Sequence, residues 1–516
     1  MQEDLFKRLV SHCKEYGFIY PSSEVYDGLN GVYDYGPYGV ELKNNIKEYW
    51  WRAMVQMHEN ITGIDSAIFM HPLIWKASGH VDAFNDPLID NKDSKKRFRA
   101  DVLIENEIDK MMGKADKEVE KAAKRFGDSF DEAMFRSTNP RVLEYTQKAE
   151  AVEKRLANAM KANDMADLKA IIEELGIADP DSGSRNWTEV RQFNLMFSTQ
   201  MSNIAGEEGK LYLRPETAQG IFVNFLNVQK TTRQKIPFGI AQIGKAFRNE
   251  IVARQFIFRM REFEQMEMQF FVRPGTEMEW YNTWKERRMA WHRAVTPEEK
   301  LKFKDHDNLA HYANAAVDIQ FDFPFGFKEL EGIHSRTDFD LSSHSELSGK
   351  KMQFFDPELN EHYTPFVVET SVGCDRMFLA MLSNALVEET VPDAQGEDSS
   401  RTVLRLAPAL APVKCAVLPL LKNKEELVGK AREIFDKLKF HFLCQYDEKD
   451  AVGRRYRRQD AIGTPYCITI DFETLENDTV TIRERDSMKQ ERIPVGDVAR
   501  IVSENTDMRL LLEQIA

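Results

Sequence analysis

The chain has 516 residues, of which 42% are hydrophobic and 11% aromatic, which is enough apolar material for about three domains with sizeable cores. Its 84 acidic residues against 70 Lys and Arg give a net charge of −14, which excludes a uniformly basic nucleic-acid binder but still allows a local basic site. The chain starts with acidic residues and without a secretory signal, and no apolar run approaches the ~20 residues of a membrane span. Its five cysteines are widely separated, which argues against a disulfide framework and a zinc ribbon. These features predict a cytoplasmic protein.

The first predicted helices are Leu5–Gly17 and Val40–Glu59, where apolar residues recur at helical spacing. The second carries aromatic and methionine side chains on more than one face, which is typical of burial in a large core and also suits a subunit interface. Between residues 110 and 184 the composition shifts to Lys, Glu, Ala and Met, and Ala149–Gly176 has a helical pattern that ends at a glycine. We therefore predict a helical insertion over residues 110–184.

After the insertion the pattern becomes strand-like, because Phe, Ile and Val alternate with polar residues and are interrupted by Gly and Pro. Strands are predicted within Trp187–Phe271, Val317–Phe327 and Val367–Val372, and helices at Glu277–Ala294 and Arg376–Leu386. The acidic segment Val391–Arg401, which contains Pro, Gly and Ser, is interpreted as a domain boundary.

The last hundred residues alternate strands with a helix, which is typical of a small, separate α/β domain. The predicted elements are a buried strand at Lys414–Leu420, a helix at Lys424–Leu438, and strands at Phe440–Tyr446, Tyr466–Asp471 and Thr479–Arg485.

Several strand-like segments carry polar residues two positions apart, so that each set projects from one side of its strand. The sets are Arg214 and Glu216; Arg248 and Glu250; Arg261, Phe263, Gln265 and Glu267; and Glu369 and Ser371. A solvated face of an antiparallel sheet alternates in the same way, and a single segment would not distinguish the two interpretations. The recurrence of Arg and Glu beside aromatic residues favours a site for a ligand that combines phosphates with an amine.

These segments resemble the signatures of the class II aminoacyl-tRNA synthetases. Phe247-Arg248-Asn249-Glu250 followed by Arg261-Glu262-Phe263 is similar to the second signature, Ser371-Val372-Gly373-Cys374-Asp375-Arg376 to the third, and Val40–Glu59 with Ala67–Pro72 to the first. Ser371 replaces a glycine of the generic third signature, as it does in the glycine-specific, dimeric branch of the family. Further stretches resemble the same branch: Tyr33–Pro37, Trp75–His80, Arg97–Asp101 and Arg214–Gln219.

The resemblance covers nearly the whole chain and implies an α+β fold. We expect a class II synthetase-like antiparallel sheet flanked by helices over residues 1–109 and 185–400. The helical insertion would occupy 110–184, and a mixed α/β domain similar to an anticodon-binding domain would occupy 408–516.

The implied activity is an ATP-dependent ligation in which glycine forms glycyl-adenylate and is then transferred to the 3′ end of its tRNA. Arg248, on the α-phosphate and the glycine carboxylate, and Arg376, on the γ-phosphate, are the expected catalytic residues, since such chemistry needs positioning and charge neutralisation. Phe263 would contact the adenine ring and Glu250 its amino group. The residues expected around ATP are Arg248, Asn249, Glu250, Phe258, Arg259, Met260, Arg261, Glu262, Phe263, Glu329, Leu330, Gly373, Cys374, Asp375 and Arg376.

Mg²⁺ is expected as a cofactor held mainly by phosphates and water, with Glu329 or a neighbouring residue contributing. A dedicated protein metal site is not expected, because His306 and His311 stand five residues apart in a charged segment and no cysteine lies within ligand spacing of another.

A glycine pocket cannot hold a side chain, so it must bind the ammonium group and fill the space that a Cβ would occupy. The resemblance implies that Glu216, Glu267 and Glu369 do the first, and that Glu369 and Ser371 do the second. Arg99 is similar to a further substrate-contacting arginine. The expected glycine-binding set is Arg99, Glu216, Phe263, Glu264, Gln265, Met266, Glu267, Glu369, Thr370, Ser371, Val372 and Gly373.

The resemblance of residues 408–516 to an anticodon-binding domain implies that the arginines of the segment Gly453–Arg458 bind the anticodon region of tRNA. Arginine suits this role because it pairs with phosphate and stacks on unpaired bases. These arginines are Arg454, Arg455, Arg457 and Arg458. The family also implies a symmetric homodimer formed through the N-terminal helix–strand region.

Three other interpretations stay open at this point. The chain could be a class II synthetase for threonine, serine or proline, or a non-catalytic, nucleic-acid-binding accessory protein that kept the fold. Retention of the whole set expected to handle ATP favours an enzyme over the accessory protein. The set is Arg248, Glu250, Phe263 and Arg376. A different α+β nucleotide enzyme is the third interpretation, and the sequence contains no GxxxxGK[ST] loop to favour it.

Overall fold

The computed structural model describes residues 2–127, 130–201, 209–251, 253, 255–306, 309–310, 312–392 and 398–516. They form two compact units. The smaller comprises Gly79–Met196 with Asn249–Val252, and the larger comprises Met1–Ser78, Phe197–Arg248 and Ala253–Ala516.

The larger unit begins with two helices separated by a short hairpin, which confirms the first two predicted helices. The elements are α1 (Gln2–Glu15), β1 (Ile19–Pro21), β2 (Tyr33–Tyr35), α2 (Pro37–Trp51), β3 (Ile61–Gly63) and α3 (Pro72–Ala77). The helix α2 begins at Pro37 because proline has a φ suited to the first helical turn and no N–H group to leave unbonded there. The chain continues from α2 through one wider helical turn, Arg52–Gln56.

The smaller unit combines a three-stranded antiparallel sheet, in the order β5-β4-β6, with long helices. Its elements are α4 (His80–Ala83), β4 (Asn85–Asp90), β5 (Arg97–Arg99), α5 (Ala100–Phe126), α6 (Glu132–Thr138), α7 (Pro140–Lys161), α8 (Met165–Glu174) and β6 (Arg191–Asn194). The single helix predicted at Ala149–Gly176 is wrong in one respect. Asn163 adopts a left-handed conformation with φ 52° and Asp164 caps α8, so two helices meet there.

The chain then returns to the larger unit and forms its main sheet, in the order β11-β12-β13-β16-β10-β9-β3 among the described residues. Neighbouring strands are antiparallel except for β3 and β9. The elements are β7 (Ser198–Gln200), β8 (Lys210–Tyr212), α9 (Ala218–Thr232), β9 (Phe238–Phe247), β10 (Glu262–Val272), α10 (Glu277–Arg293), β11 (Leu301–Asp305), β12 (Ala315–Phe323), β13 (Gly326–Thr337), α11 (Phe339–Ser348), β14 (Phe354–Asp356), β15 (Glu361–Tyr363), β16 (Phe366–Gly373) and α12 (Cys374–Ala385).

The helix α9 corrects the prediction that the whole of Trp187–Phe271 is strand-like. Its buried residues Ile221, Phe222, Phe225 and Val228 recur at three- and four-residue spacing, which is the period of a helix.

The main sheet has one apolar face and one mixed face. Met266, Met268 and Val372 belong to the apolar face, which packs with residues of α2, α10 and α12 in the main hydrophobic core. On the other face, Phe271 packs with α9 and α11, while the neighbouring positions toward the start of β10 are polar. The second face therefore holds a floor of polar side chains beside a second apolar cluster.

The described residues at both ends of the segment Val391–Arg401 lie in strands, and its interpretation as a domain boundary stays a prediction. The strands β17 (Leu386–Pro392) and β18 (Asp398–Leu404) pair antiparallel along their whole length. Residues 393–397, between these two strands, lie outside the described residues.

A mixed sheet ordered β20-β19-β21-β22-β23 follows, with β19 parallel to β20 and β21. Its elements are β19 (Cys415–Pro419), α13 (Glu425–Leu438), β20 (Cys444–Tyr446), α14 (Val452–Ile462), β21 (Tyr466–Ile470), α15 (Phe472–Asn477), β22 (Thr479–Glu484), β23 (Gln490–Pro494), α16 (Val498–Asn505) and α17 (Arg509–Leu512). The strand predicted at Phe440–Tyr446 begins only at Cys444, because Phe440, 84% exposed, lies in the turn after α13. The predicted α+β class is confirmed.

Candidate active site

The polar floor of the main sheet is built by side chains that alternate along its central strands. Gln265, Glu267 and Gln269 lie on one face of β10, and cross-strand pairing places Ser371 opposite Glu267 and Glu369 opposite Gln269. Ser371 Oγ donates to Glu267 Oε1 at 2.7 Å, and Gln269 Nε2 donates to Glu369 Oε2 at the same distance. The predicted neighbourhood of residues 267, 369 and 371 is thus present in the structure.

Glu369 is held by two hydrogen-bond donors on β13, an arginine and a histidine. Arg336 Nη1 donates to Glu369 Oε2 at 3.0 Å, and His334 Nδ1 donates to Oε1 at 2.9 Å. Burial alone would raise the pKa of Glu369, but the Arg336 charge and the His334 hydrogen bond outweigh it and hold that pKa at about 2. Glu369 is therefore ionised at neutral pH.

Arg336 is a site residue that the sequence reasoning missed. Besides Glu369 it binds both carboxylate oxygens of Asp340, at 2.8 and 3.0 Å, and its guanidinium lies 4.0 Å from the ring centroid of Tyr312. The available signal was its spacing, because Arg336 follows His334 by two residues in a strand-like segment, like the sets that were recognised.

The pKa of Glu267 is shifted in the opposite direction from that of Glu369. Burial and the charges of Glu369 and Glu216 raise the pKa of Glu267 to about 7, although hydrogen bonds from Thr217 and Ser371 act in the other direction. We call Glu216, Glu267 and Glu369 the carboxylate cluster. Two of its members have pKa values that their surroundings move far apart, which is a common property of functional sites.

Arginines lie at the other end of the same floor. Arg248 lies directly after β9; its Nε donates to the Pro215 carbonyl at 3.1 Å and its guanidinium lies 5.3 Å from the ring centroid of Phe263. Phe263 and Glu267 share one face of β10 four residues apart, which corresponds to about 13 Å along a strand. The arginine end and the carboxylate end thus belong to one surface.

Arg376 lies in the first turn of α12. Its guanidinium stacks 4.4 Å from the ring centroid of Phe258, its Nε donates to the Phe258 carbonyl at 3.3 Å, and it forms a 3.1 Å ion pair with Glu329. The Arg376 charge lowers the pKa of Glu329. About a quarter of the Arg376 side chain is exposed (24%), so a ligand can reach it.

Two of the polar pairs do not lie on strands as predicted. Arg214 and Glu216 follow β8 in the loop before α9, and β9 ends at Phe247, before Arg248. Arg214 is also structural, since it is buried and donates to the carbonyls of Lys245 and Ser66 at 2.6 and 2.8 Å.

Several residues predicted within the ligand-binding segments have side chains directed elsewhere. Glu264 pairs with Lys43 at 3.0 Å, Asp375 accepts a hydrogen bond from Lys43 at 2.8 Å, and Glu262 pairs with Lys245 at 2.8 Å. The reason is strand alternation on β10 and β16, together with burial at the ends of these segments. Further buried members of this group, besides Asp375, are Met260, Met266, Leu330, Thr370, Val372 and Cys374.

In the smaller unit, Arg99 is bound by two carboxylates. It contacts both oxygens of Asp101, at 3.1 and 2.5 Å, and pairs with Asp86 at 3.2 Å. Burial opposes the charge of Arg99, but these carboxylates, with a further contribution from Glu250, raise its pKa. The backbone N–H of Asn249 donates to the Leu195 carbonyl at 2.7 Å.

The C-terminal arginines divide into exposed and buried positions on α14. Arg454 is exposed, and Arg458 forms ion pairs with Asp447 and Asp450 at 2.7 and 2.8 Å. Arg457 Nη2 donates to Ser399 Oγ at 3.1 Å. Arg455 differs from the predicted tRNA-contacting position, because its side chain is buried. It donates to the carbonyls of Pro419, Asp447 and Leu420 and so stabilises the domain interior.

Within the part of the chain that the structure describes, no group of three or more His, Cys, Asp or Glu side chains could hold a metal ion. His306 binds Asp318 at 2.8 Å, whereas His311 lies outside the described residues. No described helix is both long and apolar enough to cross a membrane. The five cysteines are buried with free thiols.

Three family models match successive parts of the chain. Residues 86–195 match the glycyl-tRNA synthetase insertion domain 1, residues 200–385 match the tRNA synthetase class II core domain (G, H, P, S and T), and residues 414–505 match the anticodon binding domain.

Two similar proteins that match this chain over almost their full length share one name. The chain is 52% identical over 498 residues to the glycine–tRNA ligase of Chlorobaculum tepidum, covering 96% of this chain and 99% of that protein. It is 47% identical over 499 residues to the glycine–tRNA ligase of Staphylococcus haemolyticus, covering 96% and 98%.

Solved structures with the same fold include two prolyl-tRNA synthetases. The enzyme of Giardia lamblia with prolyl-adenylate has a TM-score of 0.58 at 15% identity, covering 100% of this chain and 81% of that chain. The enzyme of Cryptosporidium parvum with L-proline and AMP has a TM-score of 0.55 at 12% identity, covering 98% and 76%. At such identities the likeness concerns the fold alone.

Proposed function

Because the chain belongs to the glycine–tRNA ligase family of the class II aminoacyl-tRNA synthetases, we propose that the polar floor of its main sheet is where glycine is activated. As a member of this family the protein is an ATP-dependent ligase that joins glycine to tRNA, rather than a synthetase for threonine, serine or proline or a non-catalytic accessory protein. The observation that supports the location is that Glu267 of the carboxylate cluster lies on the same face of β10 as Phe263, whose ring contacts Arg248.

In the first step, a glycine carboxylate oxygen attacks the α-phosphorus of ATP, and the bond to pyrophosphate breaks. Arg248 bridges the α-phosphate and the glycine carboxylate, because its guanidinium is a planar fork whose plane is fixed by the Phe263 ring and the Pro215 carbonyl. Arg376 binds the γ-phosphate. Both arginines neutralise charge and hold the reacting atoms in line, which is how phosphoryl and nucleotidyl transfers are accelerated.

In the second step, a hydroxyl of the terminal ribose of tRNA attacks the glycyl carbonyl carbon, and AMP leaves. Phe263 provides the apolar face on which adenine stacks during both steps.

Selection of glycine depends on the carboxylate end of the floor. Glu267 and Glu369 accept hydrogen bonds from the ammonium group, with Glu216 adding negative charge. Glu369 and Ser371 occupy the space into which a Cβ would project. Attraction alone distinguishes one methyl group by only about 1–3 kcal/mol, so this steric wall supplies the remaining discrimination.

Mg²⁺ fits this site only as an ion held mostly by ATP, since Glu329 is a single half-exposed carboxylate already paired with Arg376. When bound, the ion would neutralise phosphate charge, and Glu329 would provide one oxygen ligand.

Recognition of tRNA is proposed for the exposed side of α14, with Arg454, Arg457 and Arg458 as contacts to phosphates and unpaired bases. Exposed apolar side chains near α2 and α3 support a homodimer, among them Val40, Phe69 and Leu73. We place the protein in the cytoplasm, where ATP, glycine and tRNA meet.

The test is amino-acid-dependent exchange of pyrophosphate into ATP with all standard amino acids, with and without tRNA. We expect exchange with glycine alone. Exchange driven by threonine, serine or proline, or the lack of exchange with any amino acid, would contradict the proposal.

A further inference from the structure

Two Glu–Arg–His clusters occupy opposite faces of the main sheet and differ in their surroundings. On the apolar face, Glu331 accepts from Arg288 Nε and from His292 Nε2, both at 2.6 Å, and all three side chains are at most 3% exposed. On the site face, Glu369 accepts from Arg336 and His334 in the same manner. The first cluster is enclosed in the core, whereas the second shares Glu369 with the carboxylate cluster.

The glycine at position 332 leaves space for the His334 ring. A Cβ added to Gly332 would lie 2.9 Å from His334 Cε1, closer than real Cβ contacts, so the absence of a side chain at residue 332 makes room for the imidazole. The ring of His306 meets it edge-on with centroids 5.7 Å apart, and His306 is itself fixed by Asp318. The Tyr312 ring lies 6.5 Å away.

We propose that His334 is a positioning residue for glycine: it holds Glu369 through Nδ1, and its protonation state sets how strongly the carboxylate cluster attracts the glycine ammonium. This inference rests on the proposed function, because it assumes that the ammonium binds at the carboxylate cluster.

The charges around His334 explain why its proton matters. The titratable or charged groups that face it from the packed elements are Glu369 of β16, Arg336 and Glu329 of β13, Asp318 of β12, and His306 and Tyr312 of the connection between β11 and β12. A protonated His334 joins Arg336 in neutralising the carboxylate cluster, so the ammonium finds less negative charge. A neutral His334 still donates from Nδ1 but leaves the excess charge to the ligand.

The surroundings of His334 shift its pKa upward. Burial lowers the pKa of His334, but the hydrogen bond and charge of Glu369 outweigh it, and the net shift is upward from the ordinary histidine value. By reciprocity, binding of the cationic ammonium must promote loss of the His334 proton.

Two substitutions separate orientation from titration. His334→Asn places an amide donor where Nδ1 stood but cannot titrate, whereas His334→Leu removes both properties. His292→Asn is the matched control, because it alters the equivalent histidine of the buried cluster. The measurement is kcat and KM for glycine in pyrophosphate exchange between about pH 6 and pH 8.5, with thermal unfolding recorded for every variant.

In the wild type, we expect KM for glycine to fall with rising pH through two titrations, those of Glu267 and His334. His334→Asn should lose about one proton of that dependence while its KM at the alkaline end stays within about twofold of the wild type. His334→Leu should lose the same part of the pH dependence and should also raise KM about tenfold above the wild type at the alkaline end, with a smaller effect on kcat. His292→Asn should lower thermal stability and keep the wild-type pH profile.

The inference is overturned if His334→Asn keeps the full pH dependence, or if His334→Leu binds glycine as well as the wild type. If His334→Leu does not fold, the pH profile of His334→Asn decides, since that variant loses only the titration. A wild type that does not exchange pyrophosphate with glycine would instead contradict the proposed function itself.

Discussion

Replacing Glu369 with glutamine tests the carboxylate cluster most sharply, because Glu369→Gln removes the charge and keeps the shape. Glu369 is 5% exposed and accepts hydrogen bonds from Gln269, His334 and Arg336. Arg336 would keep both bonds to Asp340, so the variant does not leave that arginine unpaired.

The expected loss follows from one charge-assisted hydrogen bond to the ammonium group. Such a bond contributes about 1.5–3 kcal/mol, which corresponds to a decrease of roughly 10- to 150-fold in kcat/KM for glycine. The loss should stay within that range because Glu267 and Glu216 still attract the ammonium. The KM for ATP should change little, since Arg248 and Arg376 lie at the other end of the floor.

The matched control is Glu331→Gln, which alters the Glu–Arg–His cluster on the apolar face. Both variants should lose stability, because each weakens a buried charged network. Only Glu369→Gln should lose glycine-dependent pyrophosphate exchange. The reasoning is refuted if Glu369→Gln stays within twofold of the wild type, or if the control loses glycine activation to the same degree.

Three further outcomes are expected. Arg376→Ala should raise the KM for ATP at least about tenfold in exchange assays, since it removes a cation from the polyphosphate; an unchanged KM would exclude the γ-phosphate role. Glycine should bind more tightly as pH rises from about 6 to about 8, because burial raises the pKa of Glu267 to about 7 and the ionised form attracts the ammonium; a KM that rises over that range would be inconsistent with this assignment. Arg457→Ala combined with Arg458→Ala should weaken tRNA charging about fivefold or more and spare pyrophosphate exchange; equal loss of both steps would show that α14 does not act on tRNA alone.

The sequence predicted those parts of the site that strand alternation alone dictates. Glu267 shares a face with Phe263 and Gln265 because they stand two residues apart on β10, and Glu369 shares one with Ser371 for the same reason. This rule needs no knowledge of which strand pairs with which.

The missed residues depend on register and on distant packing. Arg336 and His334 reach Glu369 because β13 pairs with β16 in a register that places His334 opposite Glu369, and no pattern within one segment encodes that register. Arg455 looked like its neighbours in the sequence, but the helix α14 turns its side chain toward carbonyls of two other segments. A helical period of 3.6 residues separates adjacent arginines onto different faces.

The sequence pattern did not predict the helix α9, for a related reason. Its apolar residues stand close to those of the flanking strands in sequence, so alternation and helical spacing overlapped within one stretch. Phe222 and Phe225 belong to one apolar cluster with Phe271, and such tertiary packing stabilises an amphipathic helix.

The central claim is that a single sheet face binds ATP at its arginine end and glycine at its carboxylate end. A crystal structure with a non-hydrolysable glycyl-adenylate analogue tests it most directly. We expect the ammonium group within hydrogen-bond distance of Glu267 and Glu369 and the adenine ring on Phe263. An analogue bound elsewhere, or bound here with its ammonium directed away from both carboxylates, would contradict the claim.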